Sequence, residues 1–275
     1  LYEISAKKLR GSKFIFSNVS VTGTEALIMA ASMAEGETIL KNCACEPEVE
    51  SLANFLNSCG AQIIGAGTPN IRIKGVKKLR GGTYETIPDR IEAGSFAILA
   101  ATTGSRLRIT RCNPEHLDSL WSLFAKANIK IKINKNSVEI LPSTAIKSVN
   151  IKTREYPGFP TDLQAPICVL LTQAEGQALV HETIYEGRLN WTDELKRMGA
   201  NILNLDPHRI EITGPTKLKS REIESPDLRA GMAYVIAGLC AKSQSIVNNI
   251  YQIDRGYEKI EERLQKVGAD IRRVS

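Results

Sequence analysis

The chain has 275 residues, of which 43% are hydrophobic and 24% charged, the balance of one large folded domain or two ordinary ones rather than of a disordered chain. No apolar run approaches the roughly 20 residues of a membrane span and the opening LYEISAKKLR has no signal-peptide core, so a membrane-free, cytoplasmic protein is expected. The net charge of +6 is spread along the chain, with 5% aromatic residues and no nucleic-acid motif; a small polyanionic substrate accounts for it at least as well as DNA or RNA does.

Taken in order, the chain repeats itself. The segment KKLRG stands at 7–11 and again at 77–81. After each copy the pattern predicts a strand, a turn and an apolar helix, over 23–33 and then 94–102; matching helices follow at 163–172 and 228–241. Each helix runs into a small polar turn and a short strand: AEGETIL (34–40), TGSRLRI (103–109), AEGQALV (174–180) and AKSQSIV (241–247). Second helices are predicted in PEVESLANFLNSCGAQI, PEHLDSLWSLFAKANIKI, GRLNWTDELKRMGANI and RGYEKIEERLQKVGADI, where apolar residues such as Leu117, Leu120, Trp121 and Phe124 recur at helical spacing. Three of them close in Gly-Ala-x-Ile, a left-handed glycine stop ahead of a strand. The second copy has Ala127 instead, which predicts a less defined helix end. The first three copies then close with hairpins containing strands such as 71–76 and 209–214.

The unit is therefore strand–helix–strand–helix–strand–strand. A unit of about 70 residues is marginal alone, so the copies are expected to pack through their more apolar helices with the sheets outside. The fold class is α/β. Residues 1–11 match the end of a unit rather than its beginning, no initiator methionine is present, and the last copy ends at IRRVS, one strand short of a hairpin. A C-terminal portion of a longer protein is the expectation.

The six cysteines, Cys43, Cys45, Cys59, Cys112, Cys168 and Cys240, form no C-x-x-C pair. Reduced, packed thiols are expected, and no metal site.

Charged residues recur at two loops of each copy. The loop entering the first helix carries Val21-Thr22-Gly23-Thr24, Asp89-Arg90-Ile91-Glu92, Asp162, and Asp227-Leu228-Arg229; the loop entering the second carries Glu46-Pro47-Glu48, Asn113-Pro114-Glu115, Glu186-Gly187-Arg188, and Asp254-Arg255-Gly256. Asp162 lies in YPGFPTDLQA, at the predicted start of an amphipathic helix, where an N-cap is the ordinary role. Arginine at a helix start costs about 0.3–1 kcal/mol, so its recurrence at matched positions points to a ligand. Singly, each of these pairs reads as a surface ion pair. Together they read as a site. Arg90 and Glu92 are assigned to the hinge between copies, Tyr251 and Tyr257 to packing, Arg272-Arg273 to a solvated end, and His116, His181 and His208 to structural or surface roles.

The segments IPDRIEAGSF, YPGFPTDLQA, ETIYEGR, SPDLRAG and IYQIDRGYEKIEERL, in this order and over essentially the whole chain, resemble the enolpyruvyl transferases, and among them those acting on UDP-N-acetylglucosamine. The resemblance implies an inside-out α/β barrel of repeated βαβαββ units, four of them here: 1–84 as the last unit of a first domain and 85–275 as three units of a second. It implies transfer of enolpyruvyl from phosphoenolpyruvate to the 3-hydroxyl of UDP-N-acetylglucosamine with release of phosphate, in peptidoglycan precursor synthesis, without metal or cofactor. Asp162 matches the aspartate that takes the hydroxyl proton. Arg188, Arg229 and Arg255 match the arginines around phosphoenolpyruvate, and Asp227 an acid beside the reacting carbons. Val21, Thr22 and Gly23 match the stretch receiving the diphosphate, and Ile184 a residue touching the nucleotide sugar. The family's N-terminal lysine–asparagine pair, phosphate-binding arginine and cysteine loop have no counterpart here. The polypeptide alone is therefore expected to be inactive, and a separate chain carrying that part is a candidate partner. Two other readings stay open: an enzyme acting on shikimate 3-phosphate, and a non-catalytic binding or scaffold protein of the same fold.

Overall fold

The computed structural model of the protein describes residue 3 and residues 5–274. Its chain divides into two compact units, one running up to Ile87 and including Glu155–Pro157, the other formed by Pro88–Arg154 and the chain from Gly158 onward.

The first unit holds one full repeat: β1 (Lys13–Ile15), α1 (Val21–Ala31), β2 (Glu37–Lys41), α2 (Pro47–Ser58), β3 (Gln62–Ile64) and β4 (Asn70–Lys74). The sheet order is β1-β2-β4-β3, with β1 parallel to β2 and both hairpin strands antiparallel to their neighbours. Alternation drives this arrangement. In β4, Ile71 and Ile73 are buried while Asn70, Arg72 and Lys74 face outward. The helices cover the buried face, with Ile28 of α1 and Val49 and Ala53 of α2 packed on it.

The second unit contains α3 (Arg90–Thr102), β5 (Leu107–Thr110), α4 (Asp118–Lys126), β6 (Ile131–Asn134), β7 (Ser137–Ile140), β8 (Ile151–Lys152), α5 (Gln164–Gln173), β9 (Gly176–His181), α6 (Thr192–Arg197), β10 (Asn201–Asp206) and β11 (Arg209–Gly214). It closes with β12 (Glu222–Glu224), α7 (Leu228–Cys240), β13 (Ile246–Asn248), α8 (Tyr251–Asp254) and α9 (Ile260–Lys266). The sheet β8-β9-β11-β10 repeats the order of the first unit. The other two sheets are shorter than the pattern predicts. In β5-β7-β6 the leading strand is missing, because Gly81-Gly82 and Pro88 occupy the segment before α3 and both residue types disfavour a strand. In β12-β13 the one hairpin strand expected of the last copy is missing, and 269–274 has no strand. There Arg273, expected as a solvated end, is tied to Asp254 at 2.6 and 2.9 Å and to Glu261 at 2.8 and 3.0 Å.

The middle of the second unit is made of helices. α3, α5 and α7 pack on one another, and each is buried nearly all round: Ala93 to Thr102 in α3, Gln164 to Thr172 in α5, Ala230 to Ala237 in α7. The sheets lie outside them. So α5 is not the amphipathic helix expected; no face of it meets water, because the other two helices and β11 cover it. Close approach uses small residues. A Cβ on Gly94 of α3 would stand 2.6 Å from Leu163 Cδ1, well inside contact distance. Fully burying a Leu or Ile side chain stabilises by about 1.5–3 kcal/mol, and Ile98, Leu163, Ile167, Leu170 and Ile236 are all buried here.

Glycine stops end three of the second helices, with φ of 97° at Gly60, 100° at Gly199 and 96° at Gly268. The second copy ends as sharply, against expectation. Asn128, not Ala127, occupies the stop, with φ of 62°, and the N–H of Ile129 returns to the carbonyl of Phe124 at 2.8 Å as that of Ala61 returns to Leu56. Asparagine is the non-glycine residue that tolerates this conformation best. Asn128→Ala is expected to lower the denaturant midpoint by the equivalent of about 1–2 kcal/mol, whereas Asn128→Gly leaves it unchanged or raises it.

Candidate active site

Each copy's first helix begins differently, and the difference isolates Asp162. In the first copy Ser20 Oγ accepts from Gly23 N at 3.1 Å. In the second, Asp89 Oδ1 accepts from Ile91 N and Glu92 N at 2.8 and 3.0 Å; in the fourth, Asp227 Oδ1 accepts from Arg229 N and Ala230 N at 2.7 and 2.9 Å. These are N-caps. In the third copy the cap position is Pro160, which has no side-chain acceptor, and Asp162 sits two residues on, within the 3₁₀ turn Thr161–Leu163 ahead of α5. Its carboxylate caps nothing. Instead Arg188 Nη2 donates to Oδ1 at 2.7 Å and Arg229 Nη2 donates to Oδ2 at 2.9 Å.

Both guanidiniums are largely sunk into the protein, with side chains 19% and 16% exposed against 36% for Asp162. Burial by itself would raise the Asp162 carboxyl, but the Arg229 and Arg188 charges and their hydrogen bonds outweigh it and hold the group below the usual carboxylate range. Each arginine also rests on a hydroxyl. Arg188 Nη1 donates to Thr161 Oγ1 at 2.9 Å, and its guanidinium lies over the exposed Tyr185 ring at 5.0 Å. Arg229 Nη1 donates to Tyr257 Oη at 3.4 Å, and Tyr257 Oη is 2.8 Å from Ser95 Oγ. Burial pushes the Tyr257 phenol up, against the lowering by Arg229, so it keeps its proton at neutral pH. Since arginine can only donate, that proton points to Ser95.

The structure thus joins Asp162, Arg188 and Arg229 by direct hydrogen bonds, while Asp227, Arg255 and Ile184 make theirs to other partners. Arg255 follows the last turn of α8, is exposed, and donates to Gln252 Oε1 at 3.0 Å rather than joining the group. Arg255 and Gly256 form a turn, as expected, but Asp254 beside them ends α8 and is committed to Arg273. Asp227 is occupied as a cap. Ile184 is half-buried on the loop after β9, with its N–H on Glu182 Oε1 at 2.8 Å. Val21, Thr22 and Gly23 form the first turn of α1 in the other unit, and the Gly23 N–H is already taken by Ser20.

Several residues take roles that the sequence reading did not assign them. Tyr257, read there as packing, is fully buried yet holds Arg229; Tyr251, read the same way, is 61% exposed. Glu92, read as a hinge residue, pairs with Arg263, whose guanidinium lies 4.8 Å from the Phe96 ring centre. Thr161, Ser95 and Glu182 complete the group. All three lie in the segments that carry the family resemblance, IPDRIEAGSF, YPGFPTDLQA and ETIYEGR, which was the available signal.

Because the folded pKa of Asp162 lies below its unfolded value, the ion pairs contribute fully above the unfolded carboxylate range near pH ~4 and are lost as pH falls through the lower folded value. The stability difference between the wild type and Asp162→Asn is expected to be constant at neutral pH and to shrink below about pH 4, read as denaturant midpoints across a pH series.

Comparison with known proteins places this geometry in a family. A sequence model of EPSP synthase (3-phosphoshikimate 1-carboxyvinyltransferase) matches residues 2–264. The UDP-N-acetylglucosamine 1-carboxyvinyltransferases of Koribacter versatilis, Acidobacterium capsulatum and Coxiella burnetii are 45%, 47% and 47% identical over 98%, 99% and 98% of this chain. The chain spans 62% of the length of each of these relatives. Among solved structures, the enolpyruvyl transferase NikO from Streptomyces tendae superposes with a TM-score of 0.82 at 24% identity, over 91% of this chain and 60% of that one. EPSP synthase from Acinetobacter baumannii superposes with a TM-score of 0.74 at 21% identity, over 98% and 64%. With a mixed α/β fold shared with these neighbours and a family match over nearly its whole length, the chain belongs to the EPSP synthase family of enolpyruvyl transferases.

Proposed function

We propose that this chain is part of an enzyme that moves the enolpyruvyl group of phosphoenolpyruvate to the 3-hydroxyl of UDP-N-acetylglucosamine, releasing phosphate, in cytoplasmic synthesis of peptidoglycan precursors. In this reading residues 1–84 are the last unit of a first domain and 85–275 three units of a second. The observation that carries it is one carboxylate held between two guanidiniums that arrive from different repeats. Planar guanidinium forks suit the carboxylate and phosphate of such a donor, and a carboxylate beside them suits the proton of an attacking hydroxyl.

The pairing has a chemical consequence. With both arginines on it, Asp162 is a weak base, held below the ordinary carboxylate range. An anionic substrate that draws Arg188 or Arg229 to its own oxygens removes that stabilisation and makes the carboxylate more basic. The base is thereby switched on by the donor it serves. The acceptor oxygen then bonds to the central carbon of the enolpyruvyl group, its proton passing to Asp162, while the methylene carbon takes a proton from an acid. Loss of phosphate, with one proton of the resulting methyl group passing to a base, restores the double bond. Asp227 and Arg255 are assigned to the surroundings of these carbons and of the donor, Val21 to Gly23 to the diphosphate and Ile184 to the nucleotide sugar, by their match to the family motifs.

A second reading, transfer to shikimate 3-phosphate, is favoured by the family description, whereas the relatives above 40% identity carry the nucleotide-sugar name. A phosphate-release assay on the protein expressed from its full reading frame separates them. Release is expected to require UDP-N-acetylglucosamine and to be unaffected by shikimate 3-phosphate, and Asp162→Asn is expected to lower kcat by about 10²–10⁴-fold. Release dependent on shikimate 3-phosphate would overturn the assignment.

A further inference from the structure

Glu182 stands immediately after β9, is fully buried, and is not among the residues that the family motifs bring to the reaction. Every hydrogen bond to its carboxylate comes from a donor. Oε1 accepts from Thr153 Oγ1 at 3.0 Å, Ile184 N at 2.8 Å and Tyr185 N at 3.2 Å; Oε2 accepts from Thr161 Oγ1 at 2.8 Å. A buried carboxylate with donors on both oxygens is a fixed acceptor, and it sets the direction of the neighbouring hydroxyl. Thr161 has one proton. Arg188 Nη1, 2.9 Å away, cannot accept it, so the proton goes to Glu182 and the oxygen lone pairs face the guanidinium.

From this geometry we propose that Glu182 is a positioning residue for the anion-binding arginine: through Thr161 it orients Arg188 toward Asp162, and through the Ile184 and Tyr185 amides it shapes the loop that carries Arg188. This rests on the assignment of Arg188 to the donor anion made above. The two tethers act on the same side chain from opposite ends. The amides fix where the backbone of 184–188 leaves β9, and the hydroxyl fixes where the guanidinium arrives. Tyr257, handing its proton to Ser95, presents its oxygen to Arg229 in the same way. Both guanidiniums therefore lie on oxygens that cannot turn their protons toward them.

Glu182→Gln tests the polarity with little change of volume. The amide oxygen is needed by the Ile184 and Tyr185 N–H groups, so the NH₂ faces Thr161 and turns its proton toward Arg188, setting donor against donor. The KM for phosphoenolpyruvate is expected to rise about tenfold, with that for the acceptor little changed. Thr161→Val is expected to show the same loss and Thr161→Ser to recover it. In an Arg188→Ala background, Glu182→Gln is expected to add almost nothing, since its effect passes through that arginine.

An unchanged KM in both Glu182→Gln and Thr161→Val, or equal losses with and without Arg188, would overturn the proposal. Wild-type protein expressed from its full reading frame that neither binds nor turns over phosphoenolpyruvate would instead overturn the functional reading. The positioning role then stands or falls on NMR of the Arg188 guanidinium: slow proton exchange in the wild type and fast exchange in Thr161→Val supports it, and equal exchange rates refute it. If Glu182→Gln does not fold, the Thr161 pair of variants decides the question alone.

Discussion

Charge sharing around one carboxylate is the constraint on which the second unit depends. Two guanidiniums less than one-fifth exposed must each find acceptors, and Asp162 supplies one oxygen to each. Hydroxyls supply further acceptors: Thr161, itself held by Glu182, to Arg188, and Tyr257 to Arg229. An ensemble of this kind is costly when incomplete, because a buried charge that loses its partner keeps its desolvation penalty. The group therefore holds its geometry as a set, not as independent pairs.

No single repeat contains this set. Ser95 comes from the second copy, on α3; Thr161, Asp162, Glu182 and Arg188 come from the third; Arg229 and Tyr257 come from the fourth. The repeats place their first helices side by side, which brings the N-terminal ends of α3, α5 and α7 near one another. Equivalent positions then take different duties. Asp89 and Asp227 cap their helices, whereas the proline ahead of Asp162 and the 3₁₀ turn it occupies leave the third copy's acid available.

Much of this was legible in the residues. Apolar spacing and the Gly-Ala-x-Ile stops located the second helices, and the order of elements within a copy followed from self-similarity. What failed did so for local reasons. Gly81-Gly82 and Pro88 removed a strand that the repeat implied, Asn128 supplied a stop that a search for glycine overlooks, and the ion pairs of Arg273 occupy a segment read as free. In the site, Asp162, Arg188 and Arg229 could be named because their positions recur across copies. Arg255 recurs too, yet its hydrogen bond goes to Gln252 at the end of a short helix. Glu182 and Tyr257 carried no such signal, since one reads as a strand end and the other as an aromatic in a helix. Their roles come from burial and from hydroxyl polarity, which exist only once the chain has folded.

The all-round burial of α3, α5 and α7 bears on how the chain reaches this state. These segments are far apart along the polypeptide, at residues 90–102, 164–173 and 228–240, and each is sticky on every side until the other two arrive. Their mutual docking closes long loops before it returns any burial, which makes for slow, concerted acquisition of the native state. During synthesis the earliest of the three must wait for more than a hundred further residues to be translated, exposed to self-association throughout. The arrangement that keeps water from the middle of the unit is thus also what makes its nascent chain dependent on protection.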